Sequence, residues 1–165
     1  MNKVTEFSSS FGNFFIAFNK SGISGSALTE MTTLNDFCER VNNFTGSPCR
    51  EDTSLPEALR NSLSLWSEEN NHSELTFDFG RSTFFQQDVW EACQKIPFGS
   101  TLSYGELASS IKRPKATRAV GSALGVNPFL VLIPCHRVVR GNGDLGGYAY
   151  GTDLKLRLLR MENVK

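Results

Sequence analysis

A cysteine, a histidine and an arginine stand in a row at Cys135-His136-Arg137, preceded by Pro134 and followed by Val138. A cysteine becomes a good nucleophile when a neighbouring base or positive dipole favours its thiolate. His136 is such a base if a tight turn or a bridging water brings its ring to the sulfur. On a strand the two neighbours would point opposite ways. Alone the pair is a weak signal, because most single cysteines are small buried hydrophobes.

The other cysteines, Cys38, Cys49 and Cys93, are widely and irregularly spaced. No close Cys pair exists, and the histidines are His72 and His136, so neither a structural zinc nor a disulfide framework is expected. The longest apolar run, Phe129 to Ile133, is far too short to cross a bilayer, and the first residues lack the apolar segment of a secretory signal. The expectation is a soluble cytoplasmic protein, or a nuclear one if the source is eukaryotic. The formal net charge is zero but split. Residues 1–80 hold 5 basic and 11 acidic side chains, and residues 81–165 hold 12 and 6. Such asymmetry suits either a polyanionic partner for the basic half or two oppositely charged surfaces that attract each other.

The 165 residues suit two small domains, 1–80 and 81–165, with the composition changing after Gly80. In the first, Phe14 to Phe18 reads as a buried strand, residues 19–22 as a turn and Ile23 to Leu28 as a second strand. Apolar residues at 34, 37, 38, 41 and 44 predict a helix that Thr45-Gly46-Ser47-Pro48 ends. Leu55 to Trp66 predicts another helix, and the alternation of Leu75, Phe77 and Phe79 a short strand. In the second, Ser82 or Thr83 can cap a helix through Phe85, Val89, Trp90, Cys93 and Ile96. Ser103 with Glu106 predicts a capping box ahead of a helix over 104–111. A third helix over 116–124 carries Lys115, Thr117 and Arg118 at its start. These last two match a helix-turn-helix or, more plainly, an αα-hairpin. The basic tip and the small residues Ala116, Ala119, Gly121, Ser122 and Ala123 favour DNA, since small side chains permit close approach to a backbone or groove. Residues 141–144 signal a turn and 146–151 a glycine-rich loop. Thr152 or Asp153 then caps a final helix through Leu154, Leu158, Leu159 and Met161.

Beyond these local readings, an ordered series of motifs resembles the O6-alkylguanine-DNA alkyltransferase family. It comprises Phe85-Gln86-Gln87-Asp88-Val89-Trp90, Ile96-Pro97-Phe98-Gly99, Ser103-Tyr104-Gly105-Glu106-Leu107-Ala108, Arg118-Ala119-Val120-Gly121, Asn127-Pro128, Ile133-Pro134-Cys135-His136-Arg137-Val138, Gly146-Gly147-Tyr148, Lys155, and Leu158-Leu159 with Glu162. The N-terminal half matches loosely, chiefly at Ser10-Phe11-Gly12.

The resemblance implies an α+β protein. A ribonuclease H-like α/β domain supports a mostly helical C-terminal domain with a helix-turn-helix. It implies double-stranded DNA carrying O6-alkylguanine as partner, the base flipped into a pocket, with O4-alkylthymine left open as a second substrate. Cys135 takes the alkyl group irreversibly, one lesion per molecule, acting as a monomer without metal or cofactor. His136 is the base, oriented by Glu162. Tyr104 is the proton donor to the leaving guanine, and Asn127 ties the helix-turn-helix to the active-site turn. Arg118 replaces the flipped base in the stack, with Lys115, Thr117, Ala119, Gly121 and Ser103 alongside on the DNA. Val138, Tyr148, Ala149, Tyr150 and Lys155 line the pocket.

Tyr150 departs from the family, where glycine is frequent, and a tyrosine there either narrows the pocket or points outward. Three other readings compete. A non-catalytic lesion binder would have another residue at Cys135. A cysteine hydrolase using Cys135, His136 and Glu162 would turn over. In a helix-turn-helix regulator the cysteine would be structural or its methylation a signal.

Overall fold

The structure is a computed structural model and describes residues Met1–Val164, so Lys165 of the expected second domain lies outside the described residues. The chain is mixed α+β. It divides into two compact units, Met1–Ser82 with Pro128–Leu132, and Thr83–Asn127 with Ile133–Lys165. The short apolar run 128–132 therefore belongs with the N-terminal unit, although sequence order groups it with the C-terminal half.

In the first unit, β1 (Asn2–Ser9), β2 (Gly12–Asn19) and β3 (Gly22–Leu28) form an antiparallel meander. The short β4 (Cys49–Glu51) pairs parallel with β1, giving the order β3-β2-β1-β4. β2 is buried almost end to end, which is why Phe14 to Phe18 reads as a strand from sequence. β1 alternates polar residues with few large apolar ones and gives no comparable signal.

The helix α1 (Leu34–Thr45) starts with the Thr33 hydroxyl accepting from the Asp36 amide and stops at Gly46 in the left-handed region, φ 78°. That left-handed φ favours glycine, and a Cβ there would also force the Arg81 guanidinium to shift. The helix α2 (Glu57–Glu69) begins two residues later than its apolar spacing suggests, because Pro56 stands at the N-cap.

The expected strand around Phe77 does not join the sheet. It makes one bridge, Ile23 to Phe77, after which the Asp78 side chain turns back to accept from the Gly80 amide. The apolar run 129–133 is not a strand either. Val131 has φ 66° and the Leu132 amide donates to the Leu130 carbonyl, a tight turn that breaks any ladder.

The second unit is built on helices: α3 (Phe84–Gln94), α4 (Tyr104–Ser110), α5 (Thr117–Gly125) and α6 (Thr152–Met161). Thr83 with Gln86, and Ser103 with Glu106, form complete capping boxes on α3 and α4. Between them β5 (Leu102–Ser103) pairs parallel with β6 (Val138–Val139). α3, α4 and α5 pack on one another. Val89, Trp90, Cys93, Leu107, Val120 and Ala123 fill the interior, at 3% exposure or less.

Trp90 Nε1 donates to the Ala123 carbonyl at 2.9 Å, fixing α3 to the end of α5. Among the described residues no helix is long and apolar enough to cross a membrane. Replacing Trp90→Phe removes the indole N–H with part of the ring, leaving a gap in the core and the buried Ala123 carbonyl without this donor. The expected cost is about 1–3 kcal/mol, read as a lower denaturant midpoint with unchanged slope.

Candidate active site

Cys135 opens a single 3-10 turn, Cys135–Arg137, between the buried Ile133-Pro134 and β6. The turn buries all three residues, setting Cys135 at the cavity and both His136 and Arg137 on Glu162. The Cys135 sulfur accepts from Asn127 Nδ2 at 3.2 Å. The same amide donates to the Ile133 carbonyl at 3.1 Å, so Asn127 spans the residues just after α5 and the turn that carries the cysteine. Cys135 is only 5% exposed, yet it floors a cavity of about 700 Å³. Burial pushes its thiol up, and the Asn127 amide, the Tyr148 hydroxyl and the Lys155 charge oppose that. Burial likewise pushes the Tyr148 phenol well above its ordinary range.

His136 is fully buried and faces away from solvent towards α6. Its Nε2 is 2.7 Å from Glu162 Oε1. Burial lowers the imidazole pKa, and Glu162 only partly offsets this. The ring is therefore neutral, and its Nε2 proton goes to the carboxylate. That tautomer leaves Nδ1 as a bare acceptor, and Nδ1 is buried with no hydrogen-bond partner among the described residues.

Glu162 sits at the C-cap of α6 and is 2% exposed. Burial raises its pKa, but hydrogen bonds from His136 and Arg137 outweigh that and hold it at about 2, against an ordinary 4.5. Arg137 closes the group. Its Nε donates to both carboxylate oxygens, at 3.1 and 2.9 Å, and a terminal nitrogen donates to Oε1 at 2.8 Å. The remaining terminal nitrogen donates to the Ile96 carbonyl at 2.7 Å.

Tyr104 begins α4 on the cavity wall, its hydroxyl 3.3 Å from the Gly147 carbonyl. Burial raises its pKa, so it stays protonated. Gly146 has φ 72°, and a Cβ there would lie 3.1 Å from the Tyr104 ring. The glycine-rich loop thus lets the backbone close on the phenol. Arg118, Thr117 and Gly121 of α5, Ser103, and Tyr148 with Ala149 of the loop complete the wall. Lys115 and Ala119 are exposed beside it in sequence.

Val138, Tyr150 and Lys155 are not in that wall. Tyr150 packs edge-on against Tyr148, ring centres 5.8 Å apart. Lys155 is buried on α6, and its ammonium donates to the carbonyls of Val138 at 2.6 Å, Gly147 at 3.2 Å and Leu145. Burial lowers its pKa to about 8. It ties the loop down, since three carbonyls use all three of its donors.

Two wall or network residues escape sequence reasoning. Arg140 lines the cavity, and Arg137 grips Glu162. The signal for Arg137 is present in hindsight: an arginine one step past the histidine in a buried run must find a carboxylate. Among the described residues no three His, Cys, Asp or Glu side chains gather as a metal site would require.

This arrangement can deprotonate a buried thiol, hold a small flat group above it and donate a proton from a phenol. Known proteins share it in sequence and fold. The family model for the DNA-binding domain of 6-O-methylguanine DNA methyltransferase matches residues 84–164. The bifunctional transcriptional activator/DNA repair enzyme Ada of Escherichia coli is 55% identical over 82 residues, 50% of this chain but 23% of its own length. The chain therefore spans under a quarter of that relative. The inducible methylated-DNA–protein-cysteine methyltransferase of Bacillus subtilis is 36% identical over 152 residues, 91% of this chain and 84% of its own. The crystal structure of Mycobacterium tuberculosis O6-methylguanine methyltransferase superposes with a TM-score of 0.75 at 32% identity, covering 98% of this chain and 93% of that one. Its complex with DNA gives 0.74 at 32%, covering 97% and 92%. With likeness extending from the cysteine turn through nearly the whole chain, the protein belongs to the methylated-DNA–protein-cysteine methyltransferase family.

Proposed function

We propose that this chain repairs O6-alkylguanine in double-stranded DNA by moving the alkyl group onto Cys135, once per molecule. The observation that carries the reading is the neutral, Glu162-oriented His136 with its free Nδ1, next in the chain to a buried thiol that floors a cavity. His136 Nδ1 takes the thiol proton, through a bridging water. The sulfur attacks the alkyl carbon, a C–S bond forms and the C–O6 bond breaks. Tyr104, kept protonated by burial, gives its proton to the departing guanine, because a neutral base leaves more readily than its anion. The product is a thioether, which no group at the site can hydrolyse, so the reaction ends there.

The DNA-facing surface in this reading is α4 and α5, acting as a helix-turn-helix with α5 in the recognition position. α5 begins at Thr117 without a side-chain cap, leaving its first amides for phosphate. Lys115 and Arg118 are exposed there, Thr117, Gly121 and Ser103 line the cavity, and Ala119 allows close approach. Arg118 stands where it can fill the stack when the damaged base flips into the cavity. The N-terminal unit, read as ribonuclease H-like, serves as support, and one molecule acts alone.

Incubation with a duplex containing O6-methylguanine should add one methyl, about 14 Da in intact mass, and Cys135→Ser should abolish the gain. Sustained turnover would make the protein a hydrolase instead. Arg118→Ala should slow repair in duplex DNA at least tenfold while leaving reaction with the free base nearly unchanged. Equal slowing of both would remove the finger role.

The Glu162 network sets an acid limit. The carboxyl pKa is depressed in the fold, so its contribution to stability is complete above about 4.5 and is lost as pH falls towards about 2. Thermal melts between pH 6 and 2 should show this loss. Arg137→Met should shift it to higher pH, because the buried carboxylate then lacks its counter-charge.

A further inference from the structure

Two thiols in the N-terminal unit take no part in the chemistry described above. Cys38 lies on α1 and Cys49 opens β4, and α1 packs on β4. Both side chains rest against the same apolar cluster, built around Val4, Phe15, Phe37 and Val41. Both are partly exposed, and neither is in a disulfide. The two thiols are neighbours, and Cys38 acts directly on the Cys49 thiol. Their wide separation in sequence conceals this, because the contact is made by a helix returning across a strand, with Gly46 making the turn between them.

We propose that Cys38 and Cys49 form a dithiol site that closes reversibly to an intramolecular disulfide. Three observations point the same way. The two thiols are neighbours on elements already packed together and rest on one cluster, so they stand within reach of closure. Partial exposure admits a small oxidant. The packing on both sides is apolar, so the uncharged disulfide is at least as well accommodated as two thiols.

The oxidant is a small-molecule disulfide such as oxidised glutathione. The Cys38 sulfur attacks it, losing its proton, and one glutathione thiol leaves. The Cys49 sulfur then loses its proton, attacks the mixed disulfide and releases the second glutathione. Two protein thiols are oxidised, one disulfide oxidant is reduced to two thiols, and no other reactant is required. Cys49 is the resolving partner because burial, reinforced by the adjacent Cys38 thiol, pushes it up to about 12. Closure should therefore speed up with rising pH.

The test uses the full chain, reduced and then exposed to oxidised glutathione. Intact mass should fall by about 2 Da, and non-reducing peptide mapping should join the Cys38 and Cys49 peptides. Dithiothreitol should reverse both changes. The oxidised form should melt several degrees higher than the reduced one, since the link constrains the unfolded chain. Cys49→Ser should stop at the glutathione adduct of Cys38 with no loss of 2 Da. If that variant does not fold, the peptide map of the unaltered chain decides alone. An unchanged mass, glutathione adducts without closure, or a link to Cys93 or Cys135 would overturn the proposal.

Discussion

The buried carboxylate of Glu162 is the constraint on which the site rests. A lone carboxylate at 2% exposure would cost several kcal/mol or simply stay protonated. Arg137 prevents both by neutralising it from the 3-10 turn, and then anchors its remaining nitrogen on the Ile96 carbonyl after α3. Three segments, the end of α3, the turn and the end of α6, are thereby held by one ion pair. The imidazole is a beneficiary. With the charge already balanced, His136 can donate to Glu162 and remain neutral. Burial is what keeps the ring neutral, and the arginine charge adds to it, which leaves Nδ1 open to a proton.

The sulfur illustrates a related preference. Burial opposes the thiolate, and the donors around Cys135 offset that only in part. A thioether carries no charge and has no such conflict with its surroundings. An uncharged sulfur is therefore the state that this environment favours. The same dryness keeps the Tyr104 phenol protonated.

Much of this was legible in the chain, for identifiable reasons. Capping boxes depend on two residues three apart, so Ser103 with Glu106 could be read directly, and so could Thr83 at the start of α3. β2 announced itself because it is apolar on both faces. The motif series carried Cys135, His136, Glu162 and Asn127, and the structure joins them as two pairs, Asn127 with Cys135 and His136 with Glu162. What escaped was set by tertiary contact. β1 is a strand through its partners rather than its own pattern. The bend in the apolar run 129–133 comes from Val131 turning left-handed, which its composition does not signal. The carbonyls that Lys155 meets belong to the backbone, which sequence does not distinguish. Tyr150 packs edge-on against Tyr148, a choice that a glycine-rich loop does not foretell.

The smallest element has a disproportionate effect. β5 and β6 share only two residue pairs, Leu102 with Val138 and Ser103 with Val139. Yet Tyr104 leaves one strand immediately, and the cysteine turn runs straight into the other. The ladder thus works as a gauge block between phenol and sulfur. A strand advances about 3.3 Å per residue, so a slip of one position would carry the phenol a full hydrogen-bond length out of alignment. Two rungs are enough to measure out the space between the phenol and the sulfur.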